Sequence, residues 1–320
     1  MDALIPTSTT LSPTTRNLGE LYSDYLRALG AQKKSKRTID SYQKAMRKFF
    51  LFCSDRGETR PTEGTVLDYL NQLDGEGKSA STLALYLTSI KTFFRFLAKR
   101  KLYDNIAEYI DAPETDRQSH SKGFLSEEEE VRLLSVVEDS PRDYALVFLM
   151  LTTGLRTTEI VNADLEDLKE VGGELRLYVL GKGRKTKKDY VKISRDASRF
   201  LEEYVGDRTS GPIFLSESNR NEPGRLTTRS VSRIIKDALK ESGIDSPSIT
   251  AHSLRHTVAV QNLLSGGTLE ETRELLRHRD ARTTEIYSHD IERMRNKSEE
   301  RLSSRLMGRI NEERKVLRVA

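Results

Sequence analysis

Apolar positions recur at helical spacing through the first third of the chain. Leu18, Leu21, Tyr22, Tyr25, Leu26 and Leu29 line one side of an amphipathic helix. A second helix carries Ile39, Tyr42, Met46, Phe49, Phe50 and Cys53 on one side, and Gly57 stops it. A third begins after Pro61-Thr62, with Val66, Leu67, Leu70 and Leu73 expected inward, and ends at the Gly75-Glu76-Gly77 break. The fourth starts near Ser81 and directs Leu83, Leu87, Ile90, Phe94 and Leu97 inward. Four helices joined by short breaks predict a small all-α domain over residues 16–110. Residues 111–123 have almost no apolar content and include Pro113, so they read as an interdomain linker.

A second domain, residues 124–320, opens with Ser126 and Glu129 at the spacing of a capping box. Pro141 to Leu151 is a strongly apolar buried helix, and Thr153-Gly154-Leu155-Arg156 comes off its end. The period then changes from helix to strand. Leu175, Leu177 and Val179 alternate with Arg176 and Tyr178, Gly181-Lys182-Gly183-Arg184-Lys185 turns the chain, and Tyr190 to Ile193 returns it. This is a β-hairpin with a basic tip. Helices are expected at about 195–205 and 228–242, the latter stopping at Gly243. Between His252 and Leu276, apolar helix alternates with a Gly266-Gly267 break that lets the chain double back. The charged tail from Asp290 to Ala320 keeps Leu302, Leu306 and Ile310 every four residues, a narrow stripe suited to docking on another surface, such as a neighbouring subunit. The fold class is mainly α with a small antiparallel sheet (α+β).

Composition narrows the class. At 320 residues the chain is long enough for two domains, each able to bury its own core. No apolar run approaches the roughly 18 residues of a membrane span. Residues 1–15, rich in Ser, Thr and Pro, lack the basic start and apolar core of a secretory signal and read as a disordered tail. A lone cysteine, Cys53, excludes an internal disulfide, and together these features point to an intracellular protein.

The net charge of +4 says little, but its distribution says more. Residues 31–50 carry Lys33, Lys34, Lys36, Arg37, Lys44, Arg47 and Lys48 against Asp40 alone. Residues 91–101 carry Lys91, Arg95, Lys99, Arg100 and Lys101 with no acid, and residues 181–192 carry six basic residues against Asp189. Any one run could be a solvated face. Three such runs on a nearly neutral chain point to nucleic acid.

The candidate chemistry lies in His252-Ser253-Leu254-Arg255-His256, Leu276-Arg277-His278 and Tyr287. His252 and Arg255, three apart, project from one face of a helix. Cationic donors converging near a tyrosine suggest an anionic group held for attack by a phenol oxygen. Other chemistries fit less well. His252 and His256 have the spacing of two zinc ligands, but Ser253 stands where a metalloprotease needs glutamate. Gly181-Lys182-Gly183 lacks both the upstream glycine and the Ser or Thr of a P-loop. No acidic cluster has two-metal spacing.

Taken together, Thr153-Gly-Leu-Arg-Thr-Thr-Glu159, Gly181-Lys-Gly183, His252-Ser-Leu-Arg-His256 and Leu276-Arg-His278, followed nine residues later by Tyr287, resemble the tyrosine recombinase (phage integrase) family, most closely its Xer-type members. The resemblance extends over about residues 18–290. It implies an N-terminal four-helix SAM-like core-binding domain and a catalytic domain that form a C-shaped clamp around double-stranded DNA. Carried over, Tyr287 attacks the scissile phosphodiester and leaves a 3′-phosphotyrosine and a free 5′-hydroxyl. Arg156 and Arg255 grip the non-bridging oxygens, as guanidinium forks match phosphate. Lys182 protonates the departing 5′-oxygen, His252 assists proton transfer at the tyrosine, and His278 hydrogen-bonds the phosphate. Glu159 orients its neighbours, and His256 is read as packing.

The resemblance further implies no cofactor, no metal and no ATP, because the phosphotyrosine conserves the bond energy. It implies an inverted-repeat core site, a tetrameric synapse resolving a Holliday junction, and a C-terminal helix passed in trans. A second recombinase or an activating protein is a possible partner, and the location is cytoplasmic, at the nucleoid. Two departures stand out: Arg277 where many members have glycine, and Val258 where an aromatic is frequent. The compact layout favours chromosome or plasmid dimer resolution. Integration of a mobile element, relaxation of DNA by a type IB topoisomerase-like enzyme, a DNA-binding protein with a decayed active site and a zinc hydrolase are the rival readings.

Overall fold

The computed structural model describes residues 17–32, 34–113, 123–181, 184, 186–217, 224–278, 284, 287, 291 and 296–319. The expected tail over 1–15 and most of the expected linker over 111–123 lie outside these residues, as do Lys33, Lys182, Gly183 and Lys185. The chain divides into two compact units, Met1–Ser119 and His120–Ala320. It is mostly helical, with one small antiparallel sheet.

The first unit holds α1 (Leu18–Ala31), α2 (Lys36–Asp55), α3 (Glu63–Gly75) and α4 (Ala80–Ala98). Each starts on a polar cap: Asn17, Ser35, Thr62 and Ser79 accept from a backbone N–H of the first turn, satisfying one of the orphan donors there. Gly57 and Gly77 adopt the left-handed backbone that lets α2 and α3 end sharply. Their core is built of rings. Phe49, Phe93 and Phe94 are fully buried. Phe93 meets Tyr22 edge-on at 5.3 Å between centroids and Phe50 at 6.0 Å, the arrangement that ring quadrupoles prefer. In α3 the inward set differs from the helical pattern read above. Leu67 is 44% exposed, and Tyr69 is buried in its place against Phe49 and Phe52. A larger ring reaches the aromatic core from an angle at which a leucine would not.

The second unit holds α5 (Glu127–Ser135), α6 (Pro141–Thr153), α7 (Thr157–Val161), β1 (Leu168–Val171), β2 (Glu174–Val179), β3 (Asp189–Ile193), α8 (Arg195–Val205), α9 (Thr228–Glu241), α10 (Ala251–Leu264), α11 (Leu269–Leu276) and a C-terminal helix, Ser298–Val319. Ser126 and Glu129 form the capping box of α5. The expected hairpin is β2–β3, with Leu177 opposite Val191 and Tyr178 opposite Tyr190. The strand β1 extends it to three, in the order β1-β2-β3. No alternation in Leu168-Lys-Glu-Val171 announces it; it exists because β2 offers an edge. Leu146, Leu149, Leu155, Leu177, Ile213, Val231, Ile235 and Leu254 make one buried core under the sheet and helices.

Two local features prepare the site. α10 is buried along most of its length, so its polar residues Arg255, His256 and Thr257 lie inside the unit. Thr257 is satisfied there, accepting from the Leu125 N–H at 2.9 Å and donating to the Ser253 carbonyl at 3.0 Å. α6 begins with Ser140 as cap and Pro141 at its first position, and it ends on Gly154 in the left-handed conformation. The chain therefore turns at once into Leu155, fully buried, and Arg156, the N-cap of α7.

Candidate active site

Helix ends, rather than a loop or cleft, hold the central guanidinium. Arg255 is 3% exposed on α10. Its Nη1 donates to the carbonyl of Gly154, the residue that closes α6, and its Nη2 donates to the carbonyl of Leu276, the last residue of α11. The final carbonyls of a helix lack intrahelical partners and carry the negative end of its dipole. A guanidinium between two such ends is both hydrogen-bonded and electrostatically favoured. Gly154 is needed for this approach, because a Cβ there would come within 2.5 Å of Leu276 Cδ2 in addition to opposing its φ of +59°.

Arg156 lies beside it, 28% exposed at the side chain. Glu159, three residues on, is 2% exposed and accepts from the Arg156 backbone N–H at 2.9 Å and from Arg156 Nη1 at 2.7 Å. The same carboxylate accepts from Arg277 Nη2 at 2.9 Å. Burial pushes Glu159 up, yet Arg277, the Arg156 N–H and the guanidinium groups of Arg156 and Arg255 outweigh it and hold the carboxyl below its ordinary range. It is a charged spacer among three arginines. Burial, then the charges of Arg156 and Arg277, push Arg255 down to about 9, which still leaves it charged at neutral pH.

Tyr287 is 9% exposed and packs in a small cluster with Val258, Leu263, Leu276 and Ile291. Its ring lies 4.8 Å from that of His256, which in turn meets Phe124 edge-on at 6.2 Å. Burial raises the phenol above its ordinary value, and the nearby charges of Arg255 and Arg156 pull it back. His278 follows the end of α11, and its Nδ1 lies 3.0 Å from the Thr284 hydroxyl, which fixes the ring. Burial first, then Arg255, Arg156 and Arg277, push His278 down to about 4, so it is neutral at pH 7. His252 is exposed on the first turn of α10, within electrostatic reach of His278.

Arg156, His252, Arg255, His278 and Tyr287 therefore come together, though they are drawn from α7, α10, the end of α11 and the segment beyond it. Lys182 lies outside the described residues, in the connection between β2 and β3. The base of that connection is tied down: Arg184 pairs with Asp189 at 2.9 Å, and Lys187 pairs with Asp164 at 3.0 Å and with Asp167. In the sequence Arg277 stands out only as a departure. Its signal is an arginine at a helix end that favours glycine, a position that calls for a specific partner.

More than half of the chain, residues 123–293, matches the phage integrase family, and residues 22–101 match the phage integrase N-terminal SAM-like domain. The chain belongs to the phage integrase family. Similar curated proteins include the tyrosine recombinase XerC of Vibrio cholerae, 33% identical over 202 residues that make up 60% of this chain and 61% of that one. Another is the tyrosine recombinase XerD of Listeria innocua, 34% identical over 187 residues, 55% of this chain and 61% of the relative. The tyrosine recombinase XerC of Caldanaerobacter subterraneus is 32% identical over 176 residues, 52% of this chain and 47% of the relative. The matches thus span about half to three-fifths of these relatives' lengths.

Among solved structures, a lambda integrase dimer bound to a COC′ core site has a TM-score of 0.68 at 20% identity, covering 85% of this chain and 77% of that one. The XerH site-specific recombinase bound to a palindromic difH substrate scores 0.67 at 19%, covering 85% and 80%. A lambda integrase tetramer bound to a Holliday junction scores 0.67 at 21%, covering 86% and 78%. At these identities the likeness shows a shared fold.

Proposed function

We propose that this member of the phage integrase family is a site-specific tyrosine recombinase that cuts and rejoins duplex DNA through a covalent 3′-phosphotyrosine. One observation carries the reading: a buried tyrosine, Tyr287, lies within the field of two arginines, Arg156 and Arg255, that an intervening glutamate and two helix ends hold in place. Attack by Tyr287 Oη on the scissile phosphorus forms the phosphotyrosine bond and breaks the bond to the 5′-oxygen. Arg156 and Arg255 bind the non-bridging oxygens, where charge accumulates in the transition state. The phenol is protonated at neutral pH and must lose its proton during attack; His252 assists that transfer. Lys182 gives a proton to the leaving 5′-oxygen, and loss of such an acid typically costs about 10²–10⁴ in rate. His278, neutral and held by Thr284, donates a hydrogen bond to the phosphate. The phosphotyrosine keeps the energy of the bond for rejoining, so no metal and no ATP take part.

In the same reading, residues 16–110 form the core-binding domain and 124–320 the catalytic domain. Lys36, Arg37, Lys44, Arg47 and Lys48 on α2, and Arg95, Lys99 and Arg100 at the end of α4, are exposed where they would meet phosphates. Such contacts make affinity fall with salt, with a log–log slope of about −0.9 per neutralised phosphate. The exposed stripe Leu302, Leu306, Met307 and Ile310 on the C-terminal helix is the surface that a neighbouring subunit would take in a tetrameric synapse on an inverted-repeat site. We place this activity in chromosome or plasmid dimer resolution at the nucleoid, in the cytoplasm, on the resemblance of the site motifs to Xer-type members.

The test is to incubate the protein with sheared chromosomal DNA of its source organism in EDTA, trap SDS-resistant adducts and sequence the attached DNA. Adducts at one short inverted repeat, absent in Tyr287→Phe while DNA binding persists, are expected. Adducts scattered over the chromosome would favour topoisomerase-like relaxation. Adducts formed by Tyr287→Phe would remove the nucleophile assignment.

A further inference from the structure

Arg277 closes α11 with φ +54° and ψ +44°, a left-handed conformation that suits glycine and strains other residues. A side chain kept at such a position has work to do elsewhere. Here it does not extend into solvent; it is 10% exposed, with Nη1 donating to the Leu275 carbonyl at 2.9 Å and Nη2 donating to Glu159 Oε2 at 2.9 Å. Glu159 Oε1 receives Arg156 Nη1. The carboxylate thus serves two arginines, and Arg277 reaches it from 118 residues away in sequence.

A lone arginine beside a buried carboxylate tends to take it in a two-pronged grip, which uses the same N–H groups that would bind a phosphate. We propose that Arg277 is a positioning residue for Arg156: together with the Arg156 backbone N–H, which Oε2 of Glu159 also accepts at 2.9 Å, it fills that oxygen and prevents the grip, so Arg156 stays tethered through Nη1 and presents its remaining donors to the DNA phosphate. The neighbouring residue gives Arg277 a second lever. The Leu276 carbonyl holds Arg255, so the shape of this helix end also sets the second phosphate-binding arginine. The inference rests on the reading of Arg156 and Arg255 as phosphate ligands.

Three variants of the full chain test it: Arg277→Gly, Arg277→Lys, and Arg277→Gly combined with Glu159→Gln. Glycine accepts the left-handed backbone, so the helix end keeps its shape while the guanidinium is removed. Adduct formation on sheared chromosomal DNA is expected to slow by about 10- to 100-fold in Arg277→Gly, the scale of a displaced reacting group, with DNA binding retained. Arg277→Lys restores most of the rate, and Glu159→Gln restores part of it by removing the carboxylate that over-grips Arg156. Inorganic phosphate, titrated into the free protein and followed on the His278 ring signals, is expected to bind about tenfold more weakly in Arg277→Gly, the scale of one hydrogen bond to a charged group, and to recover in the double variant.

A wild-type adduct rate and wild-type phosphate affinity in Arg277→Gly would overturn the proposal. So would losses that neither lysine nor the glutamine restores. A wild-type protein that forms no Tyr287-dependent adducts would count against the recombinase reading, while the phosphate titration would still decide the role of Arg277.

Discussion

Both units bury an apolar core, but they differ in what else they take inside. The helical unit buries rings: Phe49, Phe93, Phe94 and Tyr69 interlock with Tyr22 and Phe50. The second unit buries an ionic cluster, with Arg255, Arg277 and Glu159 inside and Arg156 at the edge. A ring core contributes stability from area alone, about 1.5–3 kcal/mol for each large apolar side chain fully buried. A buried ionic cluster contributes little net stability, because desolvation offsets the attraction between charges. What it supplies here is a fixed geometry, with two arginines held within electrostatic reach of Tyr287. The ring core serves stability, whereas the ionic cluster, set beside the second unit's own apolar core, gives up stability locally for a fixed arrangement of charge.

That contrast can be broken most directly at Phe93. Phe93→Ala should cost about 3–5 kcal/mol, seen as faster hydrogen exchange in α1–α4 and an earlier urea transition for that unit. Exchange in α6, α10 and α11 should be unchanged, and a slowing or quickening there would refute the separation. A smaller stability effect is expected from Arg255→Leu. It strands the Gly154 and Leu276 carbonyls, at about 1–3 kcal/mol for each group left without a donor, but it also relieves the burial of a charge. Adduct formation should nonetheless vanish, so the ratio of chemistry lost to stability lost separates the two cores. An Arg255→Leu protein as unstable as Phe93→Ala would mean that the ionic cluster is structural.

The smallest effect concerns pH. His278 is held at about 4 in the folded protein against its ordinary 6.5. Between those values the unfolded chain binds more protons than the folded one, so stability rises with pH there. The contribution from this group is complete above about pH 6.5 and is lost as pH falls through 6.5 towards 4. Ring signals of His278 in the free protein should stay in the neutral form down to about pH 4. A midpoint near 6.5 would show that the ring is neither desolvated nor within the field of the arginines.

Much of this is legible in one dimension. The existence of α1, α2 and α4, the capping box at Ser126 and Glu129 and the β2–β3 hairpin follow from spacing and turn residues. These depend on interactions within a few residues, which the chain carries locally. Leu67, expected inward, is exposed and Tyr69 is buried, because helical period names a face, whereas the neighbours across the core decide which residue on its margin is covered. β1 escapes the sequence for a related reason: a four-residue edge strand is made by its partner, not by its own alternation.

The sequence by itself named the candidate parts of the site: Arg156, Lys182, His252, Arg255, His278 and Tyr287, with Glu159 three residues after Arg156; Lys182 lies outside the described residues. Tertiary structure alone decided how they are held. That Gly154 and Leu276 lend helix-end carbonyls to Arg255, that His256 lies against the Tyr287 ring, and that Arg277 completes the Glu159 pair are contacts between residues far apart along the chain. No local period encodes them. They arise where helix ends converge, and the cost of burying charge leaves few arrangements in which every buried charge finds its partner.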